Sequence, residues 1–159
     1  MAEHNHNICI EKSTLFAQDL ALSKGKKLTP QRLQVLRILL SDHKAMGAYD
    51  ILDKMRDLHI EGQGKPQPPT VYRALGFLLG LGLIHKVESQ NSFYACMVDK
   101  DQDEHHLAQA FICDNCGHVE EKVAHQGAQN LFEKAAVFGF KIDKVIVECR
   151  GTCASCQAA

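Results

Sequence analysis

No apolar run in this chain is long enough to cross a membrane. The longest, Phe77 to Ile84, is interrupted by Gly80 and Gly82 and falls far short of the roughly 20 residues a spanning helix needs. The opening residues Met1-Ala2-Glu3-His4-Asn5-His6 are polar and no apolar segment follows them. No secretory leader is expected, and the protein is expected to be cytoplasmic, with no membrane partner. Catalytic signatures are missing as well. There is no HExxH-type motif and no nucleophile–base pair, which argues against a zinc hydrolase with an open coordination position and against any small-molecule substrate. Net charge is scarce: 18 Lys+Arg against 19 Asp+Glu leave −1. That balance hides an asymmetry. Residues 1–90 carry 12 Lys+Arg against 9 Asp+Glu, or +3, and residues 91–159 carry 6 against 10, or −4. A mildly basic front suits an anion-binding N-terminal half.

Cysteine, by contrast, is plentiful, with seven in 159 residues. In a reducing compartment these read as metal ligands and core thiols rather than disulfides. Cys113-Asp114-Asn115-Cys116 and Cys153-Ala154-Ser155-Cys156 place four thiolates so that one tetrahedral Zn²⁺ is closed between them, with no position left for substrate. The 36 residues between the pairs have room for a helix and a strand. Ala128 to Phe138 is the helix, with Leu131, Phe132 and Ala135 apolar and Gly139 as its stop. Phe140 to Arg150 is the strand, with Val145, Val147 and Cys149 on one face, which makes Cys149 a core thiol. Cys9, in a floppy N-terminus, and His4 and His6 read as incidental. A β-α-β unit this small commonly completes its core by dimerising.

In the N-terminal half, Ser13 or Thr14 is expected to cap a first helix whose apolar side is Leu15, Phe16, Leu20 and Leu22. A second starts at Thr29-Pro30, an N-cap followed by proline at the first helical position, with Leu33, Leu36 and Leu40 buried. A third runs from about Ala48 to Leu58. The loop Gly62 to Pro69 then delivers a fourth, in which Val71, Ala74, Leu75 and Leu78 point inward while Thr70 and Arg73 point out. Leu83 to Ser89 and Phe93 to Val98 read as strand, turn, strand. Short helices followed by a two-stranded ribbon make a winged helix-turn-helix, in which the last helix enters the DNA major groove. Thr70, Tyr72 and Arg73 lie on that helix. Its first turn can meet a phosphate through free N–H groups, and Arg73 can grip a guanine edge bidentately. The fold class is therefore α+β: a winged-helix domain at 1–98 with 1–12 flexible, a linker at 99–106, and a zinc-clipped dimerisation domain at 107–159.

Strand alternation singles out a second group of potential ligands. Val119, Glu121 and Val123 share one face of a strand and Glu120 and Lys122 the other. A carboxylate on an apolar face is costly unless paired or metal-bound, so Glu121 is the candidate and Glu120 is solvated. His85 lies on the face of Val87, and Cys96 sits in the apolar strand Tyr94 to Val98. A core histidine and a core thiol are the simpler readings of each taken singly. Together with His106, these four groups offer the N/S/O mixture that suits Zn²⁺. One ion held by all four joins the two halves and couples metal occupancy to the DNA helix.

The pieces LTPQR at 28–32, AYDIL at 48–52, PPTVYRAL at 68–75, IHKVES at 84–89 and FICDNCG at 111–117 resemble the ferric-uptake-regulator superfamily, specifically its zinc-uptake-regulator branch, over nearly the whole chain. The resemblance implies a winged-helix domain, an α/β dimerisation domain, and a homodimer that represses zinc-acquisition genes at a near-palindromic double-stranded DNA operator when zinc is bound. By motif, the branch's sensing site falls on His85, Cys96, His106 and Glu121 and its structural site on Cys113, Cys116, Cys153 and Cys156, or two Zn²⁺ per protomer. The family's base-reading residues fall on Tyr49 and Arg73. The sequence His105-His106-Leu107-Ala108 is thinner in histidine than the cluster usual in iron and peroxide sensors. Two other readings stay open: a sister sensor for iron, manganese or peroxide, against which Cys96 argues, and a zinc-ribbon interaction module that does not bind DNA. Steep weakening with salt separates DNA binding from the latter.

Overall fold

Thr29-Pro30 opens a helix as its chemistry requires: Thr29 is extended and Pro30 fills the first turn of α2 (Pro30–Ser41), where no N–H is needed. The computed structural model describes residues 6–58, 64–97, 108–123, 126–142 and 145–158. The chain divides between Cys96 and Met97 into two units. No helix among the described residues is long and apolar enough to cross a membrane.

The first unit runs α1 (His6–Ser23), α2, β1 (Met46–Gly47), α3 (Ala48–Asp57), α4 (Pro68–Gly80), β2 (Ile84–Val87) and β3 (Ser92–Ala95). Its strands form one antiparallel sheet in the order β1-β3-β2. The β2–β3 hairpin is a wing, and α3 and α4 are the helix-turn-helix. Leu36, Leu39, Ile51, Leu52, Met55, Leu75 and Leu78 are buried together, each contributing roughly 1.5–3 kcal/mol by leaving water. On α4 the buried residues are Val71, Ala74, Leu75 and Leu78, the stripe its periodicity predicts. The wing starts where Gly82 (φ +66°) lets the Leu83 N–H reach back to the Leu78 carbonyl at 3.0 Å, a glycine C-cap.

Two helices differ from expectation. Helix α1 begins at His6 and runs through Ser13 and Thr14, so neither caps it, and Cys9 is a half-buried helical residue. Its inward face is Thr14, Ala17 and Ala21, while Leu15 and Leu22 are exposed. Small residues at i, i+3 and i+7 allow close helix approach, which counting large apolar side chains overlooks. On α2 the buried set is Val35, Leu36, Ile38 and Leu39. Because α1, α3 and α4 all pack on α2, its buried arc is wide, and Leu33 and Leu40 fall at the margins.

The second unit runs β4 (Ala108–Cys113), β5 (Val119–Val123), α5 (Gln126–Val137), β6 (Val147–Gly151) and α6 (Ala154–Gln157). The sheet order is β5-β4-β6, with β4 antiparallel to β5 and parallel to β6. A parallel pair needs a crossover, and α5 lies in it. Gly139 (φ +69°) stops α5. The strand expected from Phe140 starts only at Val147. Leu131 and Phe132, expected to pack inward, are about half exposed at 46% and 47%, and Phe140 is exposed too. Cys149 is exposed rather than a core thiol. Its cross-strand neighbour is Phe111, which in turn faces Glu120, so the row lies on the open face of the sheet. The proposed linker 99–106 and His105 and His106 lie outside the described residues.

Candidate metal centres and nucleic-acid interface

Parallel pairing of β4 and β6 is what brings the two CxxC segments together. The register sets Cys113 opposite Gly151, so Cys153 follows two residues past the end of the pairing. The first segment turns sharply. The Gly117 N–H donates to the Cys113 carbonyl at 3.0 Å, with Gly117 at φ +72°, a conformation glycine adopts without strain. The Asp114 N–H donates to the Gly151 carbonyl at 2.8 Å. The Arg150 Nε and Nη2 both donate to Asp114 Oδ1, at 2.8 and 2.6 Å, tying β6 to the turn. Cys156 sits in the one-turn α6. The four Sγ atoms of Cys113, Cys116, Cys153 and Cys156 lie within 4.8 Å of one another, with those of Cys116 and Cys153 at 3.7 Å. Four thiolates about 2.3 Å from a tetrahedral Zn²⁺ stand about 3.8 Å apart, so the spacing fits that ion.

The electrostatics favour a cation as well. The Cys113 thiol is held down at about 6, first by the backbone N–H of Cys153 and then by that of Cys116; the Cys153 N–H lies 3.3 Å from its sulfur. The Cys156 thiol is pushed up to about 12, chiefly by hydrogen bonding to Cys153 and Cys116, with the Cys113 charge adding to it. The cluster accommodates one anion and resists the next until a metal neutralises it. A folded-state value below the ordinary 9.0 means that Cys113 is ionised above about 6 and takes up its proton only below it.

The second candidate set is built from the wing and from β5. His85 on β2 pairs with Tyr94 on β3, their rings 5.4 Å apart. The Cys96 N–H extends the ladder to the Leu83 carbonyl at 3.1 Å. This brings the His85 ring nitrogen and the Cys96 sulfur within 4.8 Å of each other. In the other unit, Glu121 is buried, 8% exposed, on the face it shares with Val119. Its Oε2 accepts the Met97 N–H at 2.8 Å, and Met97 is bonded directly to Cys96. Glu120 is exposed and pairs with Lys122 at 2.7 Å, as a solvated residue does. No sequence pattern signalled the Met97 bond, because it joins a loop amide to a strand 24 residues away.

On the helix-turn-helix, Tyr49 in the first turn of α3 is 65% exposed, and Tyr72 on α4 is 47% exposed. Arg73 is exposed and Thr70 half-buried. Gly47, just before α3, donates its N–H to Asp50 Oδ2 at 3.1 Å, fixing the turn that presents Tyr49. The first turn of α4 is not the phosphate nest its sequence suggested. Pro68 and Pro69 have no N–H, and the N–H groups of Thr70 and Val71 both go to the Gln67 carbonyl, at 2.9 and 3.4 Å. Anion contacts there fall to side chains.

Comparison with known proteins places the chain in a family. The model of the ferric uptake regulator family matches residues 23–150. The zinc uptake regulation protein of Escherichia coli (strain K12) is 43% identical over 140 residues, which is 88% of this chain and 78% of that protein. A solved zinc uptake regulator complexed with zinc and DNA superposes with a TM-score of 0.82 at 41% identity, covering 94% of this chain and 95% of that one. Holo XcZur superposes with a TM-score of 0.79 at 34% identity, covering 92% and 97%.

Proposed function

The chain belongs to the ferric uptake regulator family, and within it we propose a zinc-responsive transcriptional repressor of zinc-acquisition genes. It acts in the cytoplasm as a homodimer, not by catalysis, and binds a near-palindromic double-stranded DNA operator when zinc-loaded. Residues 1–98 are the DNA-binding domain, 99–106 the joint and 107–159 the dimerisation domain. Each protomer holds two zinc ions: a structural one on Cys113, Cys116, Cys153 and Cys156, and a regulatory one on His85, Cys96, His106 and Glu121. The observation that carries the reading is the split second donor set. His85 and Cys96 converge on the wing, and the buried carboxylate of Glu121 is held to the amide that follows Cys96. A mixed imidazole, thiolate and carboxylate set suits zinc better than iron or manganese. An ion that draws on both donor halves couples them, so by linkage zinc raises DNA affinity by the factor that DNA raises zinc affinity.

The homodimer is supported by the apolar surface of the second unit: Val137, Phe138 and Phe140 are 87%, 74% and 64% exposed. Water contact on that scale is unfavourable in a monomer. Two recognition helices then face two half-sites related by the same twofold axis. Tyr49, Thr70, Tyr72 and Arg73 contact the DNA, with Arg73 reading a base. Against a duplex that the wild-type protein selects from a randomised pool, Arg73→Ala is expected to lose about 1–3 kcal/mol of binding and to relax specificity at one position. An equal loss on an unrelated duplex makes Arg73 a phosphate contact instead.

A further inference from the structure

We propose that Arg32 anchors a backbone phosphate of the DNA beside the groove-facing side of α4. The inference rests on the DNA-binding reading above. Arg32 lies in the first turns of α2, yet its guanidinium carbon stands 3.6 Å from the centroid of the Phe77 ring on α4. Its Nη1 also donates to the Lys27 carbonyl at 2.6 Å. These two contacts fix both the plane and the rotation of a side chain that otherwise has several free torsions.

Phe77 follows Arg73 by four residues, one turn of helix, so the two share a side of α4. The stack therefore delivers the Arg32 charge to the flank of the recognition helix that presents Arg73. Stacking uses the face of the guanidinium and Lys27 uses one N–H of five, which leaves in-plane donors in a fork that matches phosphate oxygens. Three other cations of this unit are paired with carboxylates: Lys54 with Asp42, Arg56 with Asp53 and Lys86 with Glu88. Among the described residues no carboxylate pairs with Arg32. A cation–π stack holds the group in place without neutralising it, which is what a phosphate anchor requires.

The test uses the full-length zinc-loaded protein, the duplex that wild type selects from a randomised pool, and an unrelated duplex of equal length. Arg32→Gln is expected to weaken both duplexes by the same factor. It should also make the slope of log affinity against log salt shallower by about 0.9 per protomer. Arg32→Lys keeps the charge and is expected to keep most of that slope. A lowered melting temperature with an unchanged slope reduces Arg32 to a packing contact and overturns the proposal. So does a loss confined to the selected duplex, which marks a base contact. If wild type itself shows no salt-dependent affinity for either duplex, the DNA-binding reading has failed and this inference falls with it.

Discussion

Cys113→Ser is expected to release the structural metal and, with it, the fold of the second unit and the dimer. A serine hydroxyl is a poor replacement for a thiolate, and Cys113 is the thiol whose anion the surrounding amides already stabilise. The consequence is large because little else holds that unit. Among its described residues the buried apolar ones are few, namely Ala110, Ile112, Cys113, Val119 and Ala135, and much of its aromatic surface lies open in the single chain. A four-thiolate zinc site supplies roughly 10–16 kcal/mol of apparent free energy at neutral pH, as much as the whole net stability of a typical domain, about 5–15 kcal/mol. Analytical ultracentrifugation with far-ultraviolet dichroism should show a partly unfolded monomer. A dimer with the wild-type spectrum would falsify the structural role of the cluster.

Cys96→Ser is expected to have the opposite profile, leaving the fold and the four-thiol site intact while abolishing the zinc response. Cys96 is half-buried at the end of the wing, and serine is close to it in volume, so packing changes little. The lost thiolate weakens one ion only. Coupling free energies between sites commonly run 1–3 kcal/mol, or about 5- to 150-fold in affinity, and the variant forfeits that gain. Operator affinity measured at low and at saturating free zinc should therefore be the same for Cys96→Ser and differ for wild type. A variant that still tightens on DNA as zinc rises removes Cys96 from the sensing set.

Features whose cause is local were legible in the sequence. The Thr29-Pro30 helix start, the Gly139 stop, the buried stripe of α4 and the burial of Glu121 beside exposed Glu120 all follow from propensity or alternation within a few residues. So does the pairing of the two CxxC segments, because four thiols at that spacing have one cheap arrangement. What escaped depends on tertiary neighbours. Helix α1 buries Ala17 and Ala21 rather than Leu15 and Leu22 because close approach to another helix selects small residues. Cys149 and Phe140 look like core residues and are exposed, since no described part of this chain packs over them. The first turn of α4 carries no spare N–H because Gln67 takes both amides that the two prolines leave. Tyr49 came from family resemblance alone, and Arg32 from neither route, for nothing in the string 28–32 points to a ring on another helix.

The central claim is that zinc at the second donor set switches DNA binding. It is tested most directly by titrating operator affinity of the wild-type protein against buffered free zinc while counting bound zinc per protomer. One zinc is expected to resist the buffer throughout, and the uptake of a second to coincide with the rise in affinity. Operator binding that is already complete with only the first zinc bound would contradict that claim.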